Sequence, residues 1–143
     1  MKRRSAISSL APVAIYSGII FAFSAMSDPP APEFGITLGD KINHFGAFAI
    51  MMLLAMRGAV YLRPDRGTAY LYWIAFAYCS LYGATDELHQ AFVPNRTAEI
   101  PDLIADVLGA AMAGLAVIAT RRTRMTRWVV GAAIHPKPET VSA

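Results

Sequence analysis

Three stretches of the chain repeat polar groups at helical spacing. Asp40 and His44 are four apart, as are Asp86 and Gln90, and Glu87 is three from Gln90. Asp102 and Asp106 are four apart, and Gly109 follows three later. On a helix, groups three or four apart share a face. Lys41 and Arg96 lie in or beside these stretches and supply cations. Adjacent carboxylates with an imidazole and a guanidinium can move protons, hold a divalent cation, or grip a polar headgroup through charge-assisted hydrogen bonds. No nucleophilic serine or cysteine accompanies them and no recognised hydrolase motif is present, so the residue types alone choose neither enzyme nor binder. The central stretch, Tyr82 to Gln90, ends an apolar run. Ionisable groups at the edge of a membrane helix are costly unless paired, hydrated or in use.

The elements that must position these groups are apolar. Of 143 residues, 55% are hydrophobic and only 16% charged, where a soluble domain carries about a quarter charged. The net charge of +3 does not point to nucleic acid, because the basic residues fall between and after apolar runs, not along one amphipathic element. Cys79 is alone and sits in an apolar run, which excludes an internal disulfide or a multi-cysteine metal site.

Four apolar runs follow in order, at about 7–26, 42–62, 68–93 and 100–120. A run of 20 residues makes about 30 Å of helix, the thickness of a bilayer core. The first run is longer than a signal-peptide core and its Ala22 to Ala25 end is a poor cleavage site, so it is expected to be retained. Prolines from Pro29 to Pro32 end it. Arg57 near the end of the second run is expected to snorkel to the nearer interface. Tyrosines and Trp73 in the third suit an aromatic belt, and Pro101 opens the fourth, whose Gly109 and Gly114 permit close helix packing. Residues 1–127 are read as one membrane domain and 128–143 as a cytoplasmic tail.

Charges in the connections set an orientation. Lys2, Arg3 and Arg4, then Arg57, Arg63 and Arg66, then Arg121, Arg122, Arg124 and Arg127 alternate with acidic loops. The positive-inside rule places both termini and the middle loop in the cytoplasm. The expected fold is therefore all-α, a polytopic four-transmembrane-helix bundle. The three polar helix ends then lie on one extracytoplasmic side, where they should face each other, not lipid. Asp106, the deepest carboxylate, needs a partner from Arg96, Lys41 and His44. Arg96 ranks first because its planar fork can bridge two carboxylates. His89 falls one position off the Asp86 and Gln90 face. A solvated helix end, or a cluster that only fixes helix packing, is the plainer account of the same residues.

The run Asp40-Lys41-x-x-His44-Phe45, then Tyr82-Gly83-x-x-Asp86-Glu87-x-x-Gln90-x-Phe92-Val93-Pro94-x-Arg96, then Asp102-x-x-x-Asp106-x-x-Gly109 resembles the VanZ-like family of small bacterial membrane proteins, over about residues 36 to 115. The resemblance implies a multi-pass protein of the bacterial cytoplasmic (inner) membrane. It carries the family's polar set onto Asp40, Lys41, His44, Asp86, Glu87, Gln90, Arg96, Asp102 and Asp106. The founding member is associated with resistance to teicoplanin, so the implied partners are membrane lipid and a lipid-linked cell-wall precursor or glycopeptide-related ligand, with no nucleic acid. Two positions depart from the pattern: Asp106 stands where asparagine is more common, and Asn95 where glycine is common. The alternative function is a membrane enzyme acting by acid/base or divalent-metal chemistry on a lipid-linked substrate. Magnesium or manganese would suit these donors better than a closed zinc site. No cofactor is identifiable from the sequence, and no metal centre is assigned.

Overall fold

The computed structural model describes residues 6–27 and 38–120. Within them the chain forms four helices and no strand: α1 (Ala6–Ser24), α2 (Leu38–Leu62), α3 (Thr68–Gln90) and α4 (Ile100–Ala119). The expected elements are present with shifted ends. The second helix begins at Leu38, before residue 42, so Asp40 and Lys41 belong to its first turns. The third ends at Gln90 and not at 93, closing in turns with Phe92 N–H on His89 O (3.0 Å) and Val93 N–H on Gln90 O (3.0 Å). The first stops at Ser24. The basic start, the proline-rich loop, the four closing arginines and the tail lie outside the described residues.

Three helices are long and apolar enough to cross a membrane: Ile7–Ser24, Gly39–Leu62 and Ile100–Ala119. Helix α3 has the length, 23 residues, but its tyrosines and its polar end keep it out of that set.

Helix α2 is central, packing on α4 most extensively, then on α3 and α1. Helices α2 and α4 run in the same direction and in register. Descending both together, Lys41 meets Asp102, His44 meets Asp106, the Phe45 backbone meets Gly109, and Met52 meets Gly114. Gly109 is indispensable to this approach, because a Cβ there would stand on the Phe45 carbonyl. Below the polar pairs the core is apolar: Phe48, Met51, Met52, Met56, Leu71, Cys79, Ala110 and Val117. Large apolar side chains face outward on all four helices, among them Ile15, Ile50, Trp73, Leu81, Met112 and Leu115.

Helix α1 is held differently, through hydroxyls and one guanidinium. Pro12 lies inside it and has no N–H to give the carbonyl of Ser8. Arg57 of α2 donates Nη2–H to that carbonyl at 3.1 Å. Further along, Tyr82 donates its hydroxyl to Ser17 O (2.5 Å), Ser17 Oγ pairs with Tyr78 (2.8 Å), and Ser17 Oγ also donates to Val13 O (2.9 Å). Interhelical bonds of this kind contribute about 0.6 kcal/mol each in a bilayer.

Candidate functional site

The register of α2 and α4 decides how the polar set is assembled. His44 Nδ1 donates to Asp106 Oδ1 at 2.9 Å, with Asp106 fully enclosed at 0% exposure. The expected partner, Arg96, is corrected by this contact: Arg96 sits in the loop before α4, whereas His44 stands at the depth of Asp106 on the neighbouring helix. Gly83 of α3 makes the room, since a Cβ there would lie 3.0 Å from Asp106 Oδ2. Lys41 pairs with Asp102 and donates to Glu99 Oε2 at 2.8 Å. Its ammonium holds the exposed Glu99 carboxyl below the usual carboxylate range.

On α3, Gln90 donates Nε2–H to Asp86 Oδ2 (3.0 Å) one turn back. Glu87 accepts the backbone N–H of Glu99 through Oε2 at 2.8 Å. Glu99 is the residue just before α4, so the carboxylate of Glu87 caps that helix, where partial positive charge favours an anion. Glu99 therefore joins the site from two directions, an involvement the spacing of charges did not single out. Its position three residues before Asp102 and two before Pro101 is the available signal.

Asp86, Glu87, Gln90, Asp102 and Asp106 are all buried, and Asp40, Lys41, His44 and Arg96 are partly so. All nine predicted residues thus come to one end of the bundle. They divide into two sets. Asp40, His44, Asp86, Gln90 and Arg96 line a cavity of about 330 Å³, while Lys41, Glu87, Asp102 and Asp106 do not. Asn43 completes the polar part of the cavity wall. Its other side is apolar, made by Tyr16, Ile19, Ile20 and Phe23 of α1 with Ala47 and Phe48 of α2. Ser24, at the end of α1, also lines it, so a serine does accompany the cluster. Among the described residues its Oγ has no hydrogen-bond partner. His89 faces elsewhere, stacked on Phe21 of α1 at 4.6 Å between ring centres. In the loop, Asn95 adopts φ 62°, a left-handed conformation that asparagine tolerates nearly as glycine does.

Several buried polar atoms lack partners among the described residues: Asp86 Oδ1, Glu87 Oε1, Asp106 Oδ2 and Arg96 Nε. Two donor sets are compact enough to share an ion, His44 with Glu87 and Asp106, and His44 with Asp40 and Asp102, each with its donor atoms within 4.8 Å of one another. His44 is common to both and also faces the cavity.

Comparison with known proteins agrees with the residue pattern. Neither the curated proteins nor the solved structures offered a match to this chain. The family model described as VanZ/LLP1 matches residues 2–121. That span takes in all four helices and every residue of the polar cluster, and the chain belongs to the VanZ/LLP1 family.

Proposed function

We propose that this is an envelope membrane protein that takes a lipid headgroup, or the head of a lipid-linked cell-wall precursor, into the cavity beside α1. The observation that carries the reading is the two-sided character of that cavity: aromatic and branched aliphatic groups of α1 face carboxylates, an amide and a guanidinium of α2, α3 and the following loop. Such a wall fits a molecule with a polar head and an apolar tail. At about 330 Å³, the cavity lies at the small end of the ligand-pocket range of roughly 300–1,000 Å³, which suits a headgroup and the first carbons of a chain. Arg96, whose Nε has no hydrogen-bond partner among the described residues, is the natural phosphate ligand. Asp40 and Asp86 would accept hydroxyl or ammonium donors. Sequestering a precursor in this way accords with the teicoplanin resistance that the family resemblance implies.

The direct test is capture of a fluorescent polyprenyl phosphate, with phosphatidylglycerol as a comparator, by the purified full-length chain. Loss of one charge-assisted phosphate contact, about 1.5–3 kcal/mol, predicts that Arg96→Ala weakens capture by at least about tenfold. Equal capture by wild type and variant sinks the reading. In cells, the same substitution should abolish any increase in teicoplanin tolerance that the wild-type chain confers.

The reading includes four spans in the cytoplasmic membrane with both termini inside. Outward-facing Trp73, Ile74, Leu81 and Leu88 support α3 as a span, because such groups suit lipid. With Cys79 replaced by alanine, a cysteine at Asn95 should react with an impermeant thiol reagent in intact cells and one at Arg66 should not. The reverse pattern overturns the orientation.

A further inference from the structure

Behind the cavity wall, the charge balance of the buried groups does not close. Asp86, Glu87, Asp102 and Asp106 are each at most 7% exposed. Asp102 has the ammonium of Lys41 and Asp106 has the ring of His44. Among the described residues, Asp86 and Glu87 receive only neutral donors, an amide and a backbone N–H. A buried charge without a counter-charge is strongly unfavourable, and one dication in place of the His44 proton balances Glu87 and Asp106 together. Asp106 Oδ2 and Glu87 Oε1 are both buried and have no hydrogen-bond partner among the described residues.

From this geometry we infer that His44, Glu87 and Asp106 form a divalent-cation site, joining α2, α3 and α4 at their polar ends. The dimensions fit. Metal–oxygen bonds of about 2.1 Å in an octahedron put neighbouring donors about 3 Å apart and opposite donors about 4.2 Å apart. The His44 and Asp106 donors are 2.9 Å apart, the length of one octahedral edge. All three donors fall within 4.8 Å, so a contraction of a few tenths of an ångström closes the set. The imidazole binds as its neutral form, and its Nδ1 proton leaves as the ion enters. One nitrogen with two carboxylate oxygens favours Mn²⁺ over Ca²⁺, whose sites are built of oxygen, and over a structural Zn²⁺ site, which takes four protein ligands. With three protein donors, the remaining positions belong to water or to an oxygen of a bound molecule. The second set, with Asp40 and Asp102, is the weaker candidate because Lys41 already occupies Asp102.

The inference does not rest on the lipid reading, and the two fail separately. Full-length protein is purified in detergent, stripped with chelator and titrated with Mn²⁺, following the free-ion signal by electron paramagnetic resonance and bound metal by elemental analysis. One Mn²⁺ per chain is expected. Loss of a direct ligand weakens a site at least as much as loss of an outer-shell partner, roughly 10–100-fold, so Glu87→Gln and Asp106→Asn should each lower affinity by more than about tenfold. Asp106→Asn keeps a carbonyl oxygen for the His44 N–H, and Glu87→Gln keeps one for the Glu99 N–H, so both should stay helical and monodisperse. If one does not, the other decides. A wild-type chain that leaves the free Mn²⁺ signal unchanged up to about 1 mM, the weak end of protein sites, overturns the proposal. So does unaltered affinity in the folded variants. Lipid capture is measured on the chelated protein, so a chain that captures lipid and holds no metal refutes the cation site alone.

Discussion

Asp106→Leu should destabilise the chelator-treated bundle by about 3–5 kcal/mol, the range for removing one member of a buried pair. The carboxylate lies at 0% exposure, and its Oδ1 is the acceptor for His44 Nδ1. Leucine would leave that largely buried ring N–H without its acceptor. Asp106→Asn retains an acceptor and should cost no more than about 1.5 kcal/mol, a single net hydrogen bond. Replacing both partners with leucine should recover most of the loss, because an apolar pair of similar volume removes the orphan instead of creating it. Reversible unfolding of the purified protein by SDS titration, run on these forms and on His44→Leu, measures the coupling. Equal midpoints for wild type and Asp106→Leu would show that the pair contributes nothing to the fold.

Substitution at Gly109 should be still less forgiving for its size. A methyl group there meets the carbonyl, C and Cα of Phe45, all main-chain atoms that cannot swing aside. The two helices must separate, and every pair along their interface loosens with them. Overpacking commonly costs 1–3 kcal/mol, and Gly109→Ala is expected at or above about 3 kcal/mol. Gly114 makes the internal comparison. Its Cβ would meet the Met52 Cε at 2.5 Å and the Tyr72 ring at 2.6 Å, and methionine is flexible enough to give way. Gly114→Ala should therefore fall at least about 1 kcal/mol below Gly109→Ala in the same titration. A reversed order would mean that α2 and α4 do not approach as closely as described.

Much of this was legible before any coordinates. Apolar run length gave the four helices, and spacing within each helix gave the faces that carry Asp40 with His44, Asp86 with Gln90, and Asp102 with Asp106. What spacing within one helix does not encode is depth relative to another. Chemical capacity alone favours Arg96 as the partner of Asp106, but partnership is decided by which side chain stands level with it, and that is His44. The start of α2 at Leu38 and not at 42 has a related reason. Asp40 and Lys41 fall outside the apolar run because they are charged, yet the Lys41 charge is matched across the interface by Asp102, and a matched charge is tolerated inside a helix that faces a protein neighbour. The Arg57 to Ser8 bond was hidden because it depends on a donor missing from Pro12, a backbone effect with no side-chain signature. Ser24 and Tyr16 entered the cavity wall from α1, whose lack of charged residues gave no reason to attach it to a polar site.

The in-register run of α2 beside α4 also bears on which length changes the chain can absorb. Lys41 with Asp102, His44 with Asp106 and Phe45 with Gly109 are neighbours because both helices turn and rise together, at about 100° and 1.5 Å per residue. A residue inserted between Lys41 and Phe45 would swing everything after it by more than a quarter turn and unseat the later partners together. The same insertion in the turn at 63–67 would leave each of them in place. Sequences that keep this architecture should vary in length at their turns and hold constant the count of residues along these two helices.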